Sequence, residues 1–169
     1  EVVASEIKPF EDNVKKEPLI SEDVVLKGSP VKKSKLNEAM GTTEWTLKNG
    51  IQVIVKQTPY EADAINIEAV ADGGAAIFSD EDYYSAQMLS SVMSMSGISK
   101  FSASDLRKQL SGKNARVNVG VGTYQHAIEG TAALKDAETM FQLMYLNFTA
   151  PRFSEDDFAT LMKRYDAML

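Results

Sequence analysis

The residues able to do chemistry are few, and their spacing decides most of what they can do. A zinc centre needs three or four converging nitrogen, sulfur or oxygen ligands. The chain has one histidine and no cysteine, so it can form neither a two-histidine nor a thiolate set. His126 falls in a strand-like alternation between Tyr124 and Ile128, which favours a structural role over that of a base or ligand. The acidic runs Asp80-Glu81-Asp82 and Glu155-Asp156-Asp157 lack the spaced oxygens of a calcium loop. They read instead as carboxylates at helix starts, where they complement the helix dipole. Gly73-Gly74 and Gly120-Val121-Gly122 have neither the glycine spacing nor the following lysine of a phosphate loop, so turns or sheet curvature are expected there. Ser90-Ser91 has no Gly-x-Ser-x-Gly elbow around it. Met88, Met93 and Met95 offer either an adaptable peptide-binding face or ordinary core filling, and helical spacing favours the core.

Composition narrows the classes further. With 169 residues, 44% hydrophobic and 25% charged, the chain has the balance of a globular protein with one substantial core. A net charge of −6 and the lack of a basic stripe argue against binding nucleic acid, whose affinity rests on clustered Lys and Arg. No run approaches the ~20 apolar residues of a membrane span. The absence of cysteine fits oxidising and reducing compartments alike. The chain opens on Glu1 with no charged-then-apolar leader, and its last helical pattern is still running at Leu169, so an excised fragment is expected.

The elements that must position these residues divide the chain at residue 44. Residues 1–43 hold Pro9, Pro18 and Pro30, with Phe10 the sole aromatic, a composition that builds no core. This segment reads as an extended linker whose apolar pairs, Leu19-Ile20 and Val24-Val25, can dock on a neighbour. Trp45-Thr46-Leu47, Asn49-Gly50 and residues 51–55 form a hairpin signature. A third strand is expected over 64–71 and a helix over 79–96, with Ala86, Leu89, Val92 and Met93 packed on the sheet formed by the Trp45 hairpin and its neighbours. Ser102 to Asp105 has the form of a capping box. Strands follow over 115–122 and 124–131. A helix over 135–148 has Met140, Phe141, Met144, Tyr145 and Phe148 as its apolar stripe. A last helix, capped by Ser154, carries Phe158, Leu161, Met162, Tyr165 and Met168. The order β-β-β-α-α-β-β-α-α predicts an α+β fold, an antiparallel or mixed sheet with helices on one face.

Four segments in this order carry a resemblance over residues 44–169: Trp45-Thr46-Leu47-Lys48-Asn49-Gly50 with the strand after it, Gly73-Gly74, Gly97 before Phe101-Ser102-Ala103-Ser104-Asp105-Leu106, and residues 141–153 from Phe141 through Pro151 to Phe153. Together they resemble the pitrilysin/insulinase zinc metallopeptidases. The resemblance implies a metallopeptidase-like α/β roll from the C-terminal half, preceded by the linker between halves. In that family a His-x-x-Glu-His helix binds zinc and activates water. An ungapped alignment puts Gln87, Ser90 and Ser91 at the two ligands and the base, and a one-residue slip puts Met88, Ser91 and Val92 there. The later glutamate ligand falls near Ala167.

The resemblance thus implies a non-catalytic, degenerate domain, with no catalytic or metal residue of its own and with zinc held by the parent enzyme. It further implies that the domain helps enclose unfolded peptide substrates, with the zinc-bearing N-terminal half as partner, in the bacterial periplasm or cell envelope, the cytoplasm remaining open. Two other classes stay in view: a non-catalytic core or scaffold subunit of a processing complex, and a peptide-binding module acting by β-strand addition.

Overall fold

The structure, a computed structural model, describes residues 16–168. The linker reading of Pro9, Phe10 and Lys15 falls outside these residues. Asn49-Gly50 does what its chemistry predicts: Gly50 takes φ 93°, and the Leu47 amide donates to the Ile51 carbonyl at 2.8 Å. This turn joins β2 (Thr42–Leu47) to β3 (Gln52–Val55), with Trp45 opposite Val53.

The sheet begins earlier than residue 44. A strand β1 (Val31–Asn37) lies within the segment read as linker and pairs antiparallel with β2, Ser34 opposite Trp45 and Asn37 opposite Thr42. Its side chains are almost all exposed. Lys32, Lys33 and Lys35 therefore leave no hydrophobic alternation to read, which is the usual dress of an edge strand.

A second three-stranded sheet has the order β4-β6-β5, built from β4 (Ala64–Asp72), β5 (Ala115–Val121) and β6 (Gln125–Ala133). All its pairings are antiparallel, with Ile67 and Val117 both opposite Gly130. Arg116, Asn118, Glu129, Glu68 and Asn66 occupy the exposed face. The other face is covered by helices, as an α+β layer requires.

The helices are α1 (Tyr83–Ser96), α2 (Ala103–Gln109), α3 (Ala137–Thr149) and α4 (Glu155–Asp166). Ser102 and Ser154 cap α2 and α4 as expected, accepting from the Asp105 and Asp157 amides. At α1 the acidic run precedes the helix. Ser79 and Asp82 bond each other in a turn at 2.9 Å, and Asp82 stands at the N-cap without a side-chain cap.

Three expectations about helix faces need correction. α1 rests on β5 and on α4, not on the Trp45 hairpin, because no ladder joins β3 to β4 and the two sheets are separate. Within its stripe Val92 is buried but Leu89 is 46% exposed. On α3 the buried positions are Met140, Leu143 and Leu146, while Phe141, Tyr145 and Phe148 face outward. That helix has apolar residues on two faces, so spacing alone could not choose its inner face. On α4 only Leu161 is buried, and Phe158 and Tyr165 are exposed.

The core is centred where α3 meets β6. Met140 has no exposure at all, and Ile128, Ala132, Leu143 and Leu146 surround the same layer. Gly130 permits this approach: a Cβ there would lie 2.9 Å from Met140 Sδ. At the start of α3, the buried Asp136 accepts from the Asn114 amide at 2.8 Å, with Lys113 Nζ at 3.4 Å. That bond ties the entrance of β5 to the helix layer.

Candidate functional site

The helix on which a metal motif would sit is α1, and at the motif positions the side chains of Gln87 and Ser90 are hydrogen-bonded within the fold. Gln87 is exposed, and its Nε2 donates to the Tyr83 hydroxyl at 3.2 Å. The Tyr83 hydroxyl in turn lies 3.5 Å from Thr123 Oγ1 in the turn between β5 and β6. Ser90 is half-buried, and its Oγ accepts from the Val121 amide at 3.1 Å. Ser91 is half-buried too, its carbonyl accepting from Ser94 Oγ at 2.9 Å. Tyr83 and Ser90 thus meet one target, the β5–β6 hairpin, the first at its turn and the second at the end of its outer strand, with Gln87 bonded to Tyr83 behind.

Amides and hydroxyls are weak zinc donors beside imidazole and thiolate. Ala167 offers no side-chain donor. These positions therefore do not fit the metal, and in the slipped register Met88 and Val92 fit it no better. Among the described residues no cluster of His, Asp or Glu is arranged to hold an ion.

His126 serves the fold. Its Nδ1 accepts from the Gly74 amide at 3.3 Å, in a turn where Gly74 has φ +60° and a Cβ would meet the Gly122 carbonyl at 2.5 Å. Gly73-Gly74 is thus a tight turn laid on the tip of the β5–β6 hairpin, secured by the Ala75 amide donating to Gly122 at 2.8 Å.

The outer edge of β5 has a definite hydrogen-bonding parity. The bonded pairs at its ends are Asn114 with Ala133 and Gly122 with Gln125. In an antiparallel ladder bonded positions alternate. Residues 116, 118 and 120 accordingly bond to β6, while Ala115, Val117, Val119 and Val121 turn their backbone groups away from it. Ser90 takes the last of these amides. No strand among the described residues pairs with the remainder. A groove of ≈ 590 Å³ runs beside this edge, lined by residues including Ser90, Met93, Leu106, Arg107, Val117 and Leu143. Sequence reasoning missed this arrangement because the parity, and the approach of Thr123 and Val121 to α1, depend on strand pairing rather than on any local motif.

This α+β fold, with α1 and α3 laid on one face of the β4-β6-β5 sheet, is one that proteases contain. The structure is similar to that of the periplasmic protease PqqL from Escherichia coli, with a TM-score of 0.77 at 20% identity over 89% of this chain and 16% of that one. It is also similar to a mutant of the ferredoxin protease FusC in complex with Arabidopsis ferredoxin, with a TM-score of 0.69 at 20% identity over 84% of this chain and 16% of that one. A protease from Helicobacter pylori gives a TM-score of 0.55 at 15% identity, over 78% of this chain and 29% of that one. No family model matches the sequence, and no curated protein does so. The chain spans less than a third of each of these proteases. No helix among the described residues is long and apolar enough to cross a membrane.

Proposed function

We propose that this chain is a non-catalytic domain of a larger zinc metallopeptidase of the pitrilysin/insulinase kind, one that walls the substrate chamber and joins the zinc-bearing half. The observation that carries the reading is a protease fold over 89% of this chain that accounts for only 16% of the protease it matches. The engagement of Ser90 with the β5–β6 hairpin supports the non-catalytic part, since its hydroxyl is committed to the Val121 amide, while the exposed Gln87 is bonded to Tyr83 of its own helix. Unfolded peptides are the substrates of the parent on this reading. The periplasm or cell envelope is its compartment, in keeping with the periplasmic PqqL. The test compares this chain with the longer polypeptide that contains it. The longer polypeptide should hydrolyse unstructured peptides and stop when a chelator removes its zinc, whereas this chain alone should cleave nothing. Cleavage by the isolated chain sinks the proposal.

One observation favours a second reading, that of a peptide-binding module. The outward backbone groups of Ala115, Val117 and Val119 beside the groove offer a template for an added strand. Titrating the isotope-labelled chain with an unfolded peptide should then shift the amides of residues 115–119. Amides that stay in place across the titration remove this reading.

A further inference from the structure

α3 presents two apolar faces, and the fold uses only one. Met140, Leu143 and Leu146 point to the sheet and are buried. On a helix of 3.6 residues per turn, Phe141, Tyr145 and Phe148 form a stripe on the opposite side. They are 52%, 37% and 70% exposed. One flank of the stripe is polar, Gln142 donating to Glu138 at 3.1 Å. A contiguous exposed apolar patch beside polar residues marks a contact surface.

We infer that this aromatic stripe of α3 is the docking surface for another folded domain of the same polypeptide. The inference rests on the reading of this chain as one domain of a larger protease, and it adds which face meets the rest. Two observations select this occupant. First, most of the length of the matched proteases lies outside the portion this chain covers, 16% for two of them, so ample polypeptide of the right kind is available. Second, the stripe offers side chains only. The α3 backbone is bonded within its own helix, so an extended peptide laid here would have its own amides and carbonyls desolvated without partners. The surface therefore fits a partner whose backbone is already satisfied, a packed helix or the face of a sheet with apolar side chains. An unfolded substrate would find backbone partners at the β5 edge, not here.

The test is hydroxyl-radical labelling of Phe141, Tyr145 and Phe148 in this chain alone and in the longer polypeptide, with Tyr60, which is 87% exposed, as internal reference. The expected result is several-fold slower labelling of the three in the longer polypeptide and no change at Tyr60. A second measurement uses Phe141→Asp with Phe148→Asp. The isolated chain should keep its melting temperature, because neither ring is in its core. The longer polypeptide should lose its single cooperative unfolding transition and show two. Equal labelling of the stripe in both forms overturns the inference, as does an isolated chain that dimerises through this stripe and protects it there. If the reading frame that encodes this chain contains no further domain, the protease-domain reading fails and the inference falls with it. If further domains are present and the stripe still labels freely, only the inference fails.

Discussion

Single residues divide here into those that hold the fold and those that merely look placed to do chemistry. Asp136 is 3% exposed, and the hydrogen bond from the Asn114 amide, helped by Lys113 and Lys135 and opposed by burial, holds its carboxyl below the ordinary 3.8. A carboxyl with a lowered folded pKa stabilises the fold above its ordinary value and loses that contribution as pH falls through the lowered one. Asp136→Asn should therefore reduce the melting temperature at neutral pH, and the gap from the parent should close below pH 3.8. A gap that is constant across the acid range shows that ionisation of Asp136 plays no part. Met140 and Leu89 give the packing counterpart. Truncating the fully buried Met140 to Ala should cost ~2–5 kcal/mol. Leu89→Ala should stay within ~0.5 kcal/mol, as an exposed position does. Denaturant titrations of the two variants measure the contrast directly, and equal losses would place Leu89 in the core after all.

Elements were legible in the sequence where their signals are local. Asn49-Gly50 made the hairpin readable, and the Ser102 and Ser154 caps marked two helix starts, because each depends on a bond within a few residues. β1 was not legible: an edge strand carrying Lys32, Lys33 and Lys35 shows no alternation, and the turn from Glu38 to Gly41 that folds it onto β2 lacks the Asn-Gly pair of the next hairpin. The inner face of α3 was hidden for the reverse reason, an excess of apolar positions. The α1 site was legible only as a set of residue types. That Ser90 would accept from Val121 required knowing which amides β5 turns outward. The presence of β1 changes the proteolysis expected of the linker. Cleavage at Lys32-Lys33, expected of an unpaired segment, should now be slow beside cleavage after Lys27, which precedes the strand. Mass spectra of early tryptic products test this, and primary cuts after Lys33 would mean that β1 is not held in solution.

For the whole molecule, two sheets of unequal support set the order of unfolding. The β4-β6-β5 sheet has helices on one face, whereas β1, β2 and β3 expose Val31, Leu36, Ile54 and much of Val55. The amides of β2 and β3 should exchange with solvent well before those of β6, by local opening. Hydrogen exchange followed by mass spectrometry reads this order, and simultaneous exchange would show one cooperative unit instead. At the same scale, the chain after dialysis should retain far less than the one zinc per chain that a structural or catalytic site holds. Metal analysis of this chain beside the longer polypeptide distinguishes a domain without ligands from a parent that supplies them.

The contact between Gly130 and Met140 makes two distant positions of the sequence a single unit of variation. Since a Cβ at 130 would stand 2.9 Å from the Met140 sulfur and 3.3 Å from that of Met144, a side chain at 130 must displace Met140 or be matched by a shorter residue there. Gly130→Ala alone should overpack the layer at a cost of ~1–3 kcal/mol. Combined with Met140→Val, it should cost less than the sum of the two separate losses. An alignment of relatives of this domain should accordingly show the glycine kept where the methionine is kept, and a side chain at 130 should be found where 140 is smaller.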